Sequence, residues 1–560
     1  MKGIFLFPPC FDPSMPYLAP YLLSSYVNEY FKSQISDVID LNILFYNRVC
    51  HNQYHNIDPN FSVSEAIDFF YKIETEMVRE MDDFSHKNNV TLTRQSLLFD
   101  FNRFKSEDVF RFLQTDSAFS NFIVTVFNEN VNLDKYGFVG LNISCQDQLV
   151  PAFIIAKYIR SVSDTKIIIG GNIVSRCYDG LTKSELKKYF DFLVIKEGEF
   201  AICNIIRSLS NLPLLDNLRA NAIYSCKDNS IIDNIAIPNI VDINTIPTAK
   251  FEDELENKYF APQLVLPVFF SRGCSWGKCR FCGIHSSWCA KYRSKSPEHF
   301  CDEIEYYVKS YGCKNFRFID ESPSIYDILA ISNELIKREL DINIEAYLNI
   351  SKHLLDENLV QVLAKAGIKQ LFFGIESVNS DILSSMNKDI NDPSFFADIL
   401  DNTFNCGIHN YAFFLMGYPG DVESNEDDLK KFIIDTNSLG TVAISSFIPV
   451  AGTPIVDDKS LTDGMGILYE KKGDLSNKCN YTVNGVDNSL KIKLRTRDIV
   501  ETIMSARTDL KVTSKMPYET RFYMCLHYGN DFGKKYVPSD NGVVGVGLSK
   551  EQEARVLRPE

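Results

Sequence analysis

The stretch QLVLPVFF (263–270), followed directly by SRGCSWGKCRFCG (271–283), decides the fold and the chemistry expected of this chain. The first segment is an apolar run with the length of a buried strand. The second segment places Cys274, Cys279 and Cys282 on one short loop behind that strand. Three thiolates on one loop can converge on a single point, and thiolate ligands select zinc or iron–sulfur clusters. The loop therefore predicts a metal centre.

The number of cysteines in this loop bears on which metal it would bind. Structural zinc sites normally have four protein ligands, so zinc would need a further ligand from Cys289, His285 or a distant residue. A cubane iron–sulfur cluster held by three cysteines instead leaves one iron open, and that iron can chelate a small molecule through an amine and a carboxylate. Reduced cysteines without a metal are a further alternative, although clustered cysteines in a cytosolic protein usually bind a metal or take part in catalysis.

Alternating strands and helices follow from the strand that precedes the cysteine loop. Units of this kind fit a partial (β/α)6 barrel, in which the chemistry takes place on the loops after the strands. The expected strands are QLVLPVFF (263–270), NFRFID (315–320), INIEAYLNI (342–350), QLFFGIES (370–377), YAFFLMGYP (411–419) and VAISSFIP (442–449).

The cysteine loop resembles that of the radical S-adenosylmethionine (SAM) superfamily. The usual pattern there is C-x-x-x-C-x-x-C with an aromatic residue before the last cysteine, which is Phe281 in this chain. One extra residue lies between Cys274 and Cys279, and Gly277 is expected to absorb the longer turn. The resemblance implies a 4Fe–4S cluster that binds SAM at its open iron. One electron from the cluster would then cleave SAM to methionine and a 5′-deoxyadenosyl radical, so that the cofactors carry the difficult chemistry.

Three further barrel strands end in residues that the same resemblance assigns to SAM binding. An acidic pair ends the second strand. The family often has Gly-Gly-Glu at this position, in contact with the amino group of SAM. An acidic side chain can also accept a hydrogen bond from that ammonium group. FFGIES closes the fourth strand and matches the family's pattern, with its glutamate expected at the ribose or the methionyl end. A glycine after the fifth strand marks where family members place the adenine. A helix cap or a tight turn is the alternative at these positions. The residues are Asp320, Glu321, Gly374, Glu376, Ser377 and Gly417.

Residues 1–205 read as a doubly wound α/β domain with a polar, helical insertion at about 51–130. They resemble the cobalamin-binding domain that is fused to many radical SAM enzymes. The resemblance rests on PPCFDPSMPYLAPYL, GLNIS, IIIGGN and IKEGE, whose turns at strand ends would let a flat ligand approach the backbone. No histidine lies in 137–205, so cobalamin would bind without a protein imidazole on cobalt. A purely structural domain is the alternative. The implied site residues are Gly170, Gly171, Glu197, Gly198 and Glu199.

The remaining segments complete the expected domain order. Residues 206–262 read as a linker, 263–469 as the barrel, and 470–560 as a C-terminal extension. The chain has 560 residues and a net charge of −15, which argues against general nucleic-acid binding. No apolar run is long enough for a membrane span, and no signal peptide is evident. With fifteen cysteines in so long a chain, we expect a reducing, cytoplasmic location.

The sequence thus predicts a radical SAM enzyme, with cobalamin-dependent methylation or a related modification of an unactivated carbon as the favoured reaction. One alternative is a cobalamin-free radical peptide epimerase or cyclase in natural-product maturation. Such an enzyme would need a thiol hydrogen-atom donor, for which Cys289, Cys406, Cys479 and Cys525 are the candidates. A zinc-binding scaffold is the alternative from another class. Expected partners are SAM, a reductant such as flavodoxin or ferredoxin, and a substrate that the sequence does not identify, for which peptides are candidates.

Overall fold

The computed structural model describes residues 1–213, 223–225, 230–232, 241–284 and 292–538. Its first half is built on a sheet of seven strands in the order β2-β1-β5-β6-β7-β8-β9. The strands are β1 (Gly3–Phe7), β2 (Ser36–Asp40), β5 (Phe138–Asn142), β6 (Lys166–Gly170), β7 (Phe192–Val194), β8 (Ile223–Ser225) and β9 (Ser230–Ile232), with a separate hairpin of β3 (Thr91–Leu92) and β4 (Leu97–Leu98).

The first five strands of this sheet are parallel, and helices connect them. Their side chains form near-continuous apolar runs, such as GIFLF in β1, because both faces of the sheet are covered. The helices are α1 (Leu18–Phe31), α2 (Leu41–Val49), α3 (Val63–Asn88), α4 (Ser106–Leu113), α5 (Ala118–Asn130), α6 (Leu149–Val162), α7 (Asn172–Arg176), α8 (Tyr178–Lys183) and α9 (Glu199–Leu209).

Two features of this half bear on the predicted boundaries. The insertion expected at about 51–130 is helical, and α3 begins with a capping box in which Ser62 and Glu65 exchange hydrogen bonds. The boundary expected at residue 205 falls inside the sheet, because β8 pairs antiparallel with β7 and β9 pairs antiparallel with β8. The segment 206–262 therefore does more than link two domains. These strands are short and carry no long apolar run, which is why the sequence pattern did not indicate them.

The second half begins at β10 (Val265–Val268) and is a sheet of six parallel strands in sequential order, as predicted. A short ribbon of β11 (Ser271–Arg272) and β12 (Arg293–Ser294) flanks the cysteine loop. The other barrel strands are β13 (Asn315–Phe318), β14 (Asn343–Leu348), β15 (Ile368–Glu376), β16 (His409–Met416) and β17 (Leu439–Ser446). The helices of the barrel are α10 (Pro297–Tyr311), α11 (Ile325–Lys337), α12 (Glu357–Lys365), α13 (Ser380–Ser385), α14 (Phe396–Asn405), α15 (Glu423–Asp435) and α16 (Pro454–Asp457).

The C-terminal extension packs against the barrel. A three-stranded antiparallel sheet comes first, and three helices follow it, of which α19 contributes its first turn to the inside of the barrel. The elements are β18 (Ile467–Lys471), β19 (Cys479–Val483), β20 (Val486–Asp487), α17 (Asn488–Ala506), α18 (Thr508–Lys515) and α19 (Tyr518–Tyr528). The α/β class, with one doubly wound sheet and one partial barrel, is confirmed.

Candidate active site

The cysteines predicted to hold a cluster lie together at the carboxyl end of β10. All three are half-buried. They are close enough that, in addition to burial, the charges of Cys274 and Cys282 help to raise the pKa of Cys279, and the charge of Cys274 helps to raise the pKa of Cys282. Cys274 forms a β-bridge with Ser322, which ties the loop to the end of the second barrel strand. Gly277 has a φ of 61° and its N–H lies 3.4 Å from the Cys274 Sγ, so it does absorb the longer turn.

The turn after α13 fixes the far side of the cysteine loop. The carbonyl of Met386 accepts a hydrogen bond from the Arg280 N–H at 2.9 Å. The carbonyl of Asn387 accepts from the Trp276 indole N–H at 2.8 Å, and its side-chain amide donates to the Lys278 carbonyl at 2.9 Å. The loop is thus held at both ends by the barrel, and the sequence analysis did not predict this second attachment.

The donor set of the loop fits an iron–sulfur cluster. Burial raises the pKa of the Cys279 thiol to about 12 and also raises that of Cys282, so cluster assembly must displace their protons. Within the described part of the chain, no three His, Cys, Asp or Glu side chains are arranged to hold a metal ion as they stand. Cys289 and His285, considered above as zinc ligands, lie outside the described residues. Thiolates confined to one loop are the ligands that iron–sulfur clusters take.

Lys388 is a functional candidate that the sequence analysis missed. Its Nζ donates to the Gly374 carbonyl at 2.9 Å and lies 3.9 Å from the Glu376 Oε1, with 9% of the side chain exposed. Burial raises the pKa of Glu376, and the Lys388 charge opposes that rise. The same charge opposes the rise at Cys279, which places Lys388 between the cysteine loop and Glu376. The one indication in the sequence was a basic residue in SSMNKD, the segment that follows the FFGIES motif.

The end of the fourth barrel strand directs its glutamate into the barrel. Glu376 has a φ of 66°, which is unusual for a residue with a side chain and is found disproportionately at functional sites. A Cβ at Gly374 would lie 2.7 Å from the Glu376 carboxylate, so the glycine leaves room for it. The Ser377 hydroxyl accepts from the Asn379 N–H at 3.1 Å and stabilises the following turn. Glu376 and Lys388 together offer one anion and one cation beside the cluster loop.

Of two predicted contacts at strand ends, one needs correction. Asp320 is buried, and its carboxylate accepts from the Ser271 hydroxyl and N–H and from the Phe270 N–H at 3.2 Å. It therefore fixes the start of the cysteine loop instead of facing a ligand's ammonium. At the second position, Ile492 of α17 fills the space beside the Gly417 α-carbon, where a Cβ would lie 2.6 Å from that side chain, and contact of the Gly417 backbone with adenine stays a prediction. Neighbouring Glu321 faces a cavity.

Phe281, the aromatic residue before the last cysteine, is half-buried. Its ring meets Tyr418 edge-to-face, with 6.4 Å between centroids. Tyr418 in turn packs against Phe447. These contacts anchor the loop between the second and third cysteines from the inside of the molecule, and contact of Phe281 with a cofactor stays a prediction.

A cavity of about 710 Å³ lies between the two sheets, a size within the range of small-molecule and cofactor sites. One wall is formed by the carboxyl ends of β5 and β6, by α1, and by the turn before α9. The opposite wall is formed by β10, β13, β14 and the start of α19. Residues of the first wall include Ala19, Gly140, Asn142, Gly170, Gly171 and Gly198, and those of the second include Phe269, Arg317, Glu321, Tyr347, Tyr518 and Glu519.

Several residues of the first wall are glycines, and a Cβ at each would contact neighbouring protein atoms. Gly171 has a φ of 115°, and a Cβ there would lie 2.3 Å from the Ile143 carbonyl oxygen. Only glycine fits this conformation, which lets the chain turn at the end of β6 where it lines the cavity. No histidine is among the described residues that line the cavity. The wall therefore suits a flat ligand that is held by shape and by backbone groups.

The acidic side chains of the turn before α9 have another partner than the expected ligand. Glu197 and Glu199 form buried ion pairs with Arg272, and Glu197 also pairs with Arg293. Both arginines belong to the ribbon beside the cysteine loop. Burial alone would raise the pKa of Glu199, but the positive charge of Arg272 outweighs this effect and the pKa is lowered. The carboxylates thus join the two halves, and the turn itself lines the cavity through Gly198 and its neighbours.

The cysteines considered as hydrogen-atom donors lie away from the cavity. Cys479 and Cys525 are buried and Cys406 is half-buried, and none of the three lines it. Cys289 lies outside the described residues. Cys145, which is not one of those candidates, is half-buried and does line the cavity, with its Sγ 3.5 Å from the Cys10 carbonyl.

Comparison with known families identifies the barrel. Residues 268–433 match the Radical SAM superfamily. The chain is 25% identical over 236 residues to an anaerobic magnesium-protoporphyrin IX monomethyl ester cyclase of Synechocystis, covering 41% of this chain and 46% of the relative. It is 26% identical over 195 residues to a bacteriochlorophyllide d C-12(1)-methyltransferase of Chlorobaculum tepidum, covering 35% and 42%. The matches thus span about half the length of these curated relatives.

Two solved structures share the whole arrangement of domains. The radical SAM methyltransferase TsrM of Kitasatospora setae, solved with tryptophan substrate and a SAM analogue, matches with a TM-score of 0.60 at 13% identity over 99% of this chain and 98% of that one. OxsB, a cobalamin-dependent SAM radical enzyme solved with aqua-cobalamin, matches with a TM-score of 0.61 at 16% identity over 99% and 75%. At this identity the likeness establishes the fold.

Among the described residues, no helix is long and apolar enough to cross a bilayer.

Proposed function

We propose that this chain, which carries a radical SAM domain, is a cobalamin-dependent radical SAM enzyme that methylates, or modifies in a related way, an unactivated carbon. The observation that carries the proposal is the shared cavity. Its glycine-rich wall belongs to the N-terminal sheet, and its opposite wall belongs to the inside of the barrel. A flat cofactor on the first wall would face a substrate on the second, which is the arrangement that group transfer between them requires.

The cluster and SAM would be held by the barrel. Cys274, Cys279 and Cys282 would bind three irons, and Lys388 would pair with the carboxylate of SAM beside the open iron. Glu376 would accept hydrogen bonds from the ribose or from the amino group. When bound, the cluster and SAM supply a 5′-deoxyadenosyl radical, and cobalamin supplies a methyl group.

Cobalamin would lie against the strand ends of the N-terminal sheet. Gly170, Gly171 and Gly198 line the cavity there, and the half of the sheet beyond them extends through β7 to β9. Because no histidine lines the described wall, the lower cobalt face would meet water or a non-coordinating side chain. The cobalamin-binding unit would thus comprise residues 1–205 together with β8 and β9. The barrel at 263–469 and the extension at 470–560 would complete the enzyme.

A one-electron reductant would reach the cluster from the solvent side of the cysteine loop. Lys278 is exposed there and Arg280 is half-exposed, so the face suits an acidic protein such as a flavodoxin or ferredoxin. A reducing, cytoplasmic location would protect such a cluster. Natural-product peptides stay one prediction for the substrate.

A cobalamin-free radical epimerase is the second candidate, and the observation in its favour is the position of Cys145. A thiol that lines the cavity could donate a hydrogen atom to a substrate radical, which none of the other described candidates could do from its position. The match of 268–433 to the radical SAM family counts against a structural zinc site as the role of the cysteine loop.

The test is anaerobic reconstitution of the full chain with iron, sulfide and hydroxocobalamin, followed by incubation with SAM and dithionite. The proposed function predicts a brown protein that forms 5′-deoxyadenosine, detected by mass spectrometry. With SAM that carries a deuterated methyl group, products of candidate substrates should gain that methyl group. No 5′-deoxyadenosine from a fully reconstituted protein would exclude radical SAM activity. Solvent deuterium in a product of unchanged formula would instead favour the epimerase.

A further inference from the structure

The inner end of the cavity contains a buried network of charges and aromatic rings. The Arg317 guanidinium contacts the Glu345 carboxylate at 2.5 Å and the Glu519 Oε1 at 2.8 Å, so it bridges a barrel strand and α19. Gln370 donates to the other Glu345 oxygen at 2.9 Å, which completes the coordination of Glu345. The ring of Tyr518 lies 5.0 Å from Arg317. Both oxygens of Glu345 thus accept hydrogen bonds, whereas Glu519 has an ion-pair contact alone.

Glu519 is the carboxylate that this network leaves without a hydrogen bond. It lines the cavity from the first turn of α19, and its side chain is only 1% exposed. Within the described residues, neither of its oxygens accepts a hydrogen bond, and its ionic partner is Arg317. Arg317 balances the charge at Oε1, but the buried Oε2 has no donor among the described residues, and a polar atom left in this state indicates a ligand that supplies one.

The rings beside Glu519 define the shape of that ligand. Tyr347 and Tyr518 both line the cavity, and Tyr347 is stacked on Phe372 with 4.6 Å between centroids. Phe372 also meets Tyr518 edge-to-face at 5.7 Å. These contacts hold the two tyrosines in place, so they present fixed apolar faces to the cavity. Flat, unsaturated groups pack well against such faces.

We propose that Glu519, Tyr347 and Tyr518 form the substrate subsite, and that the substrate is a compound with a flat ring and an amine. The amine would donate to the Glu519 carboxylate, and the ring would lie against the tyrosines. The subsite rests on the proposed function, because it places the substrate on the barrel wall opposite the cobalamin wall. Arg317 pairs with both Glu345 and Glu519, so it holds Glu519 in position.

The test uses three probes of similar length with the full chain after reconstitution with cluster and hydroxocobalamin. They are 2-phenylethylamine (ring and ammonium), 3-phenylpropionate (ring and carboxylate) and hexylamine (ammonium without a ring). Calorimetry should show 2-phenylethylamine binding most tightly and 3-phenylpropionate not binding. Loss of a charge-assisted hydrogen bond costs roughly tenfold or more in affinity, so Glu519→Gln should weaken 2-phenylethylamine binding by about that factor. Tyr347→Leu should remove the advantage of 2-phenylethylamine over hexylamine.

The controls separate this subsite from its surroundings. Glu107→Gln, which removes an exposed carboxylate of α4 outside the cavity, should leave amine binding unchanged. If Glu519→Gln does not fold, Glu519→Asp keeps the charge but withdraws it, and should also weaken binding. Equal binding of all three probes, or loss of cobalamin instead of amine binding in the Glu519 variants, would overturn the subsite. Absence of 5′-deoxyadenosine from a wild-type protein that still binds the amine through Glu519 would overturn the proposed function and not the subsite.

Discussion

The Arg272 guanidinium and the Glu199 carboxylate form a buried ion pair between the barrel and the N-terminal sheet. Their side chains are 7% and 3% exposed. Arg272 lies just before Cys274 of the cluster loop, and Glu199 belongs to the turn that lines the cavity. The pair therefore fixes the position of the cysteine loop relative to the cavity.

Replacement of Glu199 should destabilise the protein strongly. Without Glu199, the buried Arg272 and the largely buried Arg293 would share the single carboxylate of Glu197, which leaves one positive charge uncompensated. We therefore expect Glu199→Ala to lower the free energy of unfolding by about 3–5 kcal/mol. Urea denaturation followed by circular dichroism measures this. The control is Asp179→Ala, which breaks an exposed pair with Lys183 and should cost less than about 1 kcal/mol. Equal effects of the two changes would show that the interdomain pair contributes little.

Removal of one cluster cysteine should abolish radical formation. Cys279→Ala leaves two thiolates on the loop, which is too few to retain the cluster with one open iron. We expect loss of the brown colour and of bound iron, and no detectable 5′-deoxyadenosine. Cys406→Ala removes a half-buried cysteine elsewhere in the barrel and should behave as the wild type. Normal 5′-deoxyadenosine formation by the Cys279 variant contradicts the assignment of the loop.

Glu376 and Lys388 should contribute to SAM binding without contributing to cluster assembly. Each is expected to make a charge-assisted hydrogen bond to SAM, so Glu376→Ala and Lys388→Met should each weaken SAM binding by roughly tenfold or more. Lys388→Arg keeps the charge and should restore part of the affinity. Equilibrium binding of SAM to the reconstituted, unreduced enzyme tests this, with iron content as the control. If neither variant changed the affinity for SAM, the two residues would have only a structural role.

Asp320 should make stability depend on pH in a defined window. Burial raises its pKa from 3.8 to about 7, so the folded chain keeps a proton that the unfolded chain releases as the pH rises. Its contribution is therefore largest at low pH and is lost as the pH rises through about 4 to 7. Relative to Asp320→Asn, the wild type should lose about 1.4 kcal/mol per pH unit in the middle of this window. Urea denaturation of both proteins across the window measures the difference, and a constant difference would contradict the raised pKa.

The barrel could be predicted from the sequence because its strands are apolar runs bounded by turns. Each of the expected strands overlaps an observed one, as 370–377 does with β15 (Ile368–Glu376). The cysteine spacing and the glycine at 277 likewise carried over to the structure. Properties that depend on local pattern alone were therefore accessible.

Side-chain partners that lie far apart in the chain could not be predicted in this way. Nothing near Glu519 in the sequence indicates that it meets Arg317, and nothing near Asp320 indicates that it accepts from Ser271. Lys388 was missed because its neighbours are a backbone carbonyl and Glu376, which leave no local pattern. The acidic residues of the turn before α9 were assigned to a ligand because their arginine partners belong to the other half of the molecule.

The central claim is that the cavity between the sheets binds cobalamin, and retention of cobalamin by the purified chain tests it most directly. The full chain is incubated anaerobically with hydroxocobalamin and desalted, and bound cobalt is measured by absorption and by metal analysis. We expect about one cobalamin per chain in the wild type. Ala19→Trp should abolish it by placing a large ring in the cavity, whereas Ala19→Ser should retain it. Wild-type protein that retains no cobalamin, or equal retention by the Ala19→Trp variant, would contradict the account.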